Sequence, residues 1–274
     1  MTHSPVLVLN DGRELPQVGL GVWQIPDEDT SRVVSEAIGL GYRLIDGAAL
    51  YHNEKGLGEG VRRAEVPREE IFVTTKVWND RQGFDNTLRA VEESLGRLGM
   101  ERVDLLLIHW PAASRGLYVE TWKALIRLRE EGRATSIGVS NFLPEHLDRI
   151  VGETGVVPAL NQIELHPELP QRELRAKHAE MGIATQGWTP LGEGRTFGHP
   201  VVQRIAERTG ASPAQVVLAW SVGLGCAPIP RSTKAERLAE NLASHLVQLE
   251  PEEFDAMDAL ETGHRCGPDP RHFA

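Results

Sequence analysis

Cysteine occurs only twice in 274 residues, at Cys226 and Cys266, and the two do not form a C-x-x-C. That excludes a disulfide framework and a thioredoxin-like centre, and it fits a reducing compartment. Positive charge is also scarce, with 29 Lys+Arg against 39 Asp+Glu and a formal net charge of −10. A general nucleic-acid or anionic-membrane surface needs a basic footprint, so neither is an expected partner. One local basic pocket for a phosphate remains compatible with that sum. Apolar runs are strand-sized, as from Leu105 to Ile108, far short of the ~20 residues that span a bilayer. Met1 to Asn10 carries neither a basic n-region nor a useful apolar h-region, so a cytoplasmic protein is expected. No Pro/Gly/Ser-rich linker interrupts the chain. A single domain over 1–274 is expected, since α/β barrels of about 250 residues form one unit.

What the sequence does contain is alternation. Apolar strand candidates run Val18 to Gly21, Arg43 to Asp46, Ile71 to Thr75, Val103 to His109, Ser136 to Ser140, Ala159 to Glu164, Ile183 to Trp188 and Ala227 to Ile229. Helical spacing lies between them. Leu88, Val91, Leu95 and Leu98 repeat on one face, and Gly99 supplies a stop. Val33, Val34, Ala37 and Ile38 follow the acidic start Asp27-Glu28-Asp29. Strands that alternate with helices at a step of roughly 30 residues predict a (β/α)8 TIM barrel. Ahead of it, Val6 to Pro16 reads as a β-hairpin around Asn10-Asp11-Gly12. This cap, residues 1–16, could plug the barrel bottom. The tail, residues 263–274, lacks periodicity and is expected to be a loop.

The rival is an open dinucleotide-binding sheet with G-x-G-x-x-G after its first strand. Gly19-Leu20-Gly21 breaks that pattern at its third glycine, and Gly56-Leu57-Gly58-Glu59-Gly60 has the wrong spacing. No H-E-x-x-H and no G-x-S-x-G occurs, and His52-Asn53-Glu54 is followed by no P-C-x-x-C. His166, before Pro167, reads as a turn or capping residue. No metal is expected.

Barrel enzymes carry their chemistry at the C-terminal ends of the strands. Those ends hold Asp46, Lys76, His109-Trp110, Ser140-Asn141, Asn161-Gln162 with Glu164, Trp188, and Arg231-Ser232-Thr233. Asp46 and Lys76 alone could be a structural ion pair. Tyr51, on the loop after the second strand, gives them a chemical use. A lysine cation within about 4–6 Å lowers a phenol's pKa by roughly 1–3 units from about 10, towards a useful general acid. Asp46 would hold the ammonium, and His109 would hydrogen-bond a substrate oxygen. Trp23, Trp78 and Trp110 follow the first, third and fourth strands and suggest an aromatic pocket wall. Trp122 and Trp220, on helical faces, are expected in the core, while Phe273 on the tail could close the pocket.

Six stretches carry a family resemblance. They are Gly41-Tyr42-Arg43-Leu44-Ile45-Asp46-Gly47-Ala48-Ala49-Leu50-Tyr51 with Asn53-Glu54, then Val73-Thr74-Thr75-Lys76-Val77-Trp78, and Asp104-Leu105-Leu106-Leu107-Ile108-His109-Trp110-Pro111. Gly138-Val139-Ser140-Asn141-Phe142, Asn161-Gln162-Ile163-Glu164, and Ile229-Pro230-Arg231-Ser232-Thr233 with Glu240-Asn241 complete the set. In these the chain resembles the aldo-keto reductases over nearly its whole length. The short connections and Trp188 are similar to the bacterial branch containing 2,5-diketo-D-gluconate reductases.

The resemblance implies a catalytic tetrad of Asp46, Tyr51, Lys76 and His109, with Tyr51 as general acid in NADPH-dependent reduction of aldehydes, ketones or dicarbonyls. It implies that Trp188 stacks on the nicotinamide, with Leu191 nearby, and that Ser140, Asn141 and Gln162 bind its carboxamide. Arg231, Ser232, Thr233 and Arg237 would hold the adenosine 2′-phosphate, with Glu240 and Asn241 at the adenine. A helix starting near Lys234 and two arginines suit a phosphate, which favours NADPH over NADH. The sequence departs from the family at Gly47, commonly threonine, and at Arg231, commonly lysine. A monomer acting on a small carbonyl compound is expected. The alternative is a non-catalytic NADPH-binding or structural protein on the same barrel.

Overall fold

The computed structural model describes residues 4–273. Val6 and Val8 point outward from the first strand, β1 (Val6–Val8), which pairs antiparallel with β2 (Glu14–Pro16). Leu9 and Leu15 face the other way and are buried against Leu44, Leu105, Leu107, Leu160 and Ala227. The hairpin therefore caps the barrel interior. Asn10 Nδ2 secures the turn by donating to the Pro158 carbonyl at 2.9 Å.

Eight parallel strands follow in chain order: β3 (Leu20–Gly21), β4 (Leu44–Asp46), β5 (Phe72–Val77), β6 (Val103–Ile108), β7 (Ala134–Ser140), β8 (Leu160–Glu164), β9 (Ala184–Trp188) and β10 (Ala227–Pro228). Each pairs with the next. The Gly19 N–H donates to the Pro228 carbonyl at 3.1 Å and the Gly21 N–H to the Pro230 carbonyl at 3.3 Å. These bonds bring the first strand to the last, giving the expected (β/α)8 barrel. The seam is thin for a chemical reason: Pro228 and Pro230 have no N–H to donate.

Helices α1 (Asp27–Leu40), α2 (Glu54–Arg63), α3 (Phe84–Leu98), α4 (Tyr118–Glu130) and α5 (Pro144–Thr154) surround one half of the sheet. The other half carries α6 (Arg172–Met181), α7 (Pro200–Thr209), α8 (Pro213–Gly223), α9 (Ala235–Leu242) and α10 (Pro251–Asp258). Their apolar faces pack on the outside of the barrel. Trp122 and Trp220 lie fully buried there, as expected from their helical positions. Gly99, at φ +64°, ends α3.

The glycines of Gly56-Leu57-Gly58-Glu59-Gly60 serve this packing. A Cβ on Gly56 would sit 2.4 Å from the Asp27 carbonyl oxygen, and one on Gly58 would sit 1.9 Å from that of Leu98. Helix α2 thus touches the backbones of its neighbours, and the failed dinucleotide pattern is a helix-contact pattern.

Boundaries moved where local pattern competes with pairing. The first strand shrinks to Leu20–Gly21, while the third runs on from Phe72 through Lys76 to Val77, because the long β6 offers it partners. Two helices, α7 and α8, follow β9, so the one-strand-one-helix expectation is exceeded there. The tail is a loop of turns from Gly263 to Phe273, as expected, and Ala274 lies outside the described residues. No helix is long and apolar enough to cross a membrane, among the described residues.

Candidate active site

The barrel register brings three charged or polar strand ends to one rim. Lys76 Nζ, with no side-chain exposure, donates to Asp46 Oδ2 at 2.6 Å, to the Gly47 carbonyl at 2.9 Å and to the Tyr51 hydroxyl at 3.1 Å. Tyr51 reaches this position from a short 3-10 turn, Ala49–Tyr51, directly after β4. His109 follows β6, its ring 5.6 Å from that of Tyr51 at a steep angle. All four residues of the expected tetrad therefore meet.

The environment sets their protonation. For Lys76, burial alone would favour the neutral amine, but the Asp46 carboxylate and Tyr51 outweigh it and hold the ammonium above its ordinary range. Burial, and secondarily the Lys76 cation, push His109 well below the usual imidazole range, leaving a neutral ring. Burial also raises the Tyr51 phenol; Lys76 opposes this and Asp46 reinforces it. Lys76 thus lowers the phenol as expected, but the net shift is upward, because desolvation of the phenolate and the carboxylate behind the lysine outweigh it. Tyr51 is a protonated donor at neutral pH.

Trp23 and Trp78 stand beside the tetrad, and Trp110 packs against Trp188 and Phe273. Trp23 lies 4.8 Å from Tyr51 and Trp78 lies 5.0 Å from His109, centroid to centroid. Trp110 and Phe273 are 4.5 Å apart, and Phe273 also approaches Trp78 at 6.1 Å. The tail thus ends over the pocket. Trp23 is 45% exposed, so the wall is open at that corner.

The model of the "Aldo/keto reductase family" matches residues 16–262. This chain belongs to the aldo-keto reductase family. It is 52% identical over 270 residues to an aldo-keto reductase of Mycolicibacterium smegmatis, covering 98% of each chain. It is 45% identical to the methylglyoxal reductase DkgA of Yersinia pestis, covering 100% of this chain and 99% of the other. A crystal structure of a Gox0644 mutant in complex with NADPH superposes at TM-score 0.95 and 47% identity, over 100% of both chains. A Bombyx mori aldo-keto reductase in complex with NADP superposes at 0.92 and 34%, over 100% of this chain and 98% of that one. These matches agree with the bacterial branch expected from the sequence.

Within this aldo-keto reductase, the remaining expected contacts fall into two groups along the rim. On one side, Ser140 Oγ donates to the Gln162 carbonyl at 2.8 Å and accepts from Asn141 Nδ2 at 3.0 Å. Asn141 is held at φ +62°, its side-chain oxygen receiving the Trp188 indole N–H at 2.8 Å. The Gln162 amide is committed elsewhere, donating to Asp46 Oδ1 at 2.7 Å and to Gln186 Oε1 at 2.6 Å. Gln186 was missed in the sequence; its one signal is a polar residue at an inward position of β9. Leu191 precedes the Gly192–Gly194 turn and packs on the core edge.

On the other side, Ser232 Oγ receives the Lys234 N–H at 3.2 Å just before α9. Arg231, Thr233, Lys234 and Arg237 are exposed. None of these three cations has a carboxylate within 4 Å among the described residues, although most arginines here are paired. Glu240 instead accepts from the Ser212 hydroxyl, and Asn241 is buried. Glu54, quoted above beside Tyr51, is a buried support: it receives the Thr75 hydroxyl at 2.6 Å and pairs with Arg97 at 2.7 Å. His166 does form a turn with Leu169, but its ring is fully buried against Glu164.

Proposed function

We propose that this aldo-keto reductase uses NADPH to reduce aldehydes, ketones or dicarbonyls to alcohols, with Tyr51 as general acid. The observation that carries the reading is the Lys76 ammonium, clamped by Asp46 and Gly47 and aimed at the Tyr51 hydroxyl. A carbonyl oxygen lodged between Tyr51 and His109 meets a phenol O–H and a neutral imidazole. When bound, NADPH supplies the hydride for the carbonyl carbon. Tyr51 delivers its proton to the oxygen as negative charge develops, and the Lys76 cation stabilises the phenolate left behind. Reprotonation from solvent restores the tyrosine.

Residues present fit the cofactor at both ends. Trp188, anchored by its indole N–H to Asn141, presents a ring fixed for stacking, beside Ser140 and Asn141. Arg231 and Arg237, with Lys234, form an unpaired cationic patch at the start of α9, with Ser232 and Thr233 beside it, suited to a 2′-phosphate. The patch favours NADPH over NADH. We read a monomer, since the tetrad is complete within one chain, and we place it in the cytoplasm, since two free cysteines suit a reducing compartment.

The test is NADPH consumption with a panel of aldehydes, ketones, methylglyoxal and sugar dicarbonyls. A Tyr51→Phe variant is expected to bind NADPH as the wild type does but to turn over about 10²–10⁴-fold more slowly, the usual worth of a general acid. If the wild type binds NADPH yet consumes no more than this variant on every substrate, the protein is a binding module. Arg231→Gly with Arg237→His should weaken NADPH far more than NADH. Equal losses for both would remove the 2′-phosphate assignment.

A further inference from the structure

Outside the tetrad, Glu164, His166 and Cys266 assemble three different metal-ligating groups, two from mid-chain and one from the C-terminal tail. Glu164 ends β8, His166 opens the turn after it, and Cys266 lies on the tail 100 residues beyond His166. His166 Nε2 is 3.0 Å from Glu164 Oε1 and 3.8 Å from Cys266 Sγ, and the three donor atoms all lie within 4.8 Å of one another. Glu164 and His166 have no side-chain exposure. We propose that these residues form a site for a divalent cation of the zinc class, which fastens the C-terminal tail to the barrel rim.

Geometry favours such an ion. Bonds of about 2.0–2.3 Å arranged tetrahedrally place neighbouring ligand atoms roughly 3.3–3.6 Å apart. Two of the three edges here, 3.0 and 3.8 Å, lie within a few tenths of an ångström of those values, and the third lies within 4.8 Å. A carboxylate, an imidazole and a sulfur together suit a borderline-soft ion over calcium or magnesium, which prefer oxygen alone. The His166 ring is fixed, because Gly192 packs against it so closely that a Cβ there would lie 3.1 Å from Cγ. Its Nδ1 is buried without a partner, so Nε2 is the nitrogen that faces the other donors.

Charge points the same way. Among the described residues the buried Glu164 carboxylate meets no lysine or arginine closer than Arg265, at 3.9 Å, beyond hydrogen-bond distance. A dication held by one carboxylate and one thiolate is neutral overall. On binding, the Cys266 S–H bond breaks, an S–metal bond forms and the proton leaves to solvent, with no change of oxidation state. Part-exposed Cys266 provides entry, and water completes the fourth position.

The tail is already aimed at this point. The Cys266 and Gly267 amides donate to the Glu164 carboxylate, and Gly267 lies against the Trp188 ring with no room for a Cβ. Farther along, Phe273 covers Trp110 and Trp78. An ion at Cys266 therefore shortens the free length of the segment that closes the pocket.

Cobalt(II) is the probe, because a thiolate ligand gives a charge-transfer band and tetrahedral geometry gives strong visible bands. Titration of the wild type should saturate at one equivalent with both features, zinc chloride should erase them, and Cys266→Ala should lose the charge-transfer band. Zinc should also slow tryptic cleavage at exposed Arg271 in the wild type but not in the variant. No charge-transfer band in the wild type, or the same spectrum in Cys266→Ala, overturns the site. Binding with unchanged cleavage overturns its fastening role. Neither readout involves NADPH or a carbonyl, so the result is independent of the proposed activity.

Discussion

Replacing Lys76 by methionine removes the cation that balances Asp46 inside the barrel. The ammonium and carboxylate are 2.6 Å apart with side chains 0% and 2% exposed. At an effective dielectric of about 20, their attraction is about 6 kcal/mol. Most of that offsets the cost of taking both charges from water, so the pair itself adds little net stability. Loss of one partner is different: Lys76→Met leaves a buried carboxylate with the Gln162 amide as its remaining side-chain partner among the described residues, and should cost about 3–5 kcal/mol. Adding Asp46→Asn removes the stranded charge, so the double variant should recover to within about 1–2 kcal/mol of the wild type. Urea unfolding of the four proteins in the cycle measures this, and a coupling of about 3 kcal/mol or more is expected. If the double variant loses the sum of the two single losses, the charges are not balancing each other and the protonation scheme for the site fails. Both single variants and the double should lack reductase activity, since Tyr51 loses its cationic partner in two and Lys76 loses its carboxylate anchor in the third.

His178 gives a pH dependence. It is fully buried, receives Asn161 Nδ2 at 2.9 Å and contacts Thr185 at 2.9 Å, and burial, helped by Arg175, pushes it down to about 4. The unfolded chain therefore binds more protons between about 6.5 and 4, and stability present above pH 6.5 is lost as pH falls through that window, by about 3 kcal/mol at its end. Denaturation midpoints at pH 7 and 4.5 should draw closer in His178→Gln, and an unchanged acid loss would refute the assignment. Gly58→Ala places a methyl 1.9 Å from the Leu98 carbonyl oxygen and should cost about 3 kcal/mol by calorimetry. Gly39→Ala, in α1 with nothing within 4 Å, should instead stabilise by up to about 1 kcal/mol, and equal effects at the two sites would contradict the close crossing of α2.

Much of this was legible in order along the chain. Alternation announced the barrel, Asn10-Asp11-Gly12 announced the hairpin, and polar residues at successive strand ends announced one reactive rim. Strand length was less legible, because whether Phe72 pairs depends on β4 and whether Val77 pairs depends on β6, and because the prolines at β10 remove donors from a seam that exists only on closure. Gln186 and the His166–Cys266 approach left almost no local trace.

The sequence by itself determined which groups are available and on which strand each stands, since period and punctuation are local properties. Tertiary structure decided the electrostatics. That Lys76 would be near Tyr51 could be read in advance; that burial and Asp46 together would keep the phenol protonated could not, because desolvation depends on everything packed around the oxygen. The same holds for the glycines of α2 and for Glu164, His166 and Cys266, whose meeting is a product of barrel closure and a returning tail.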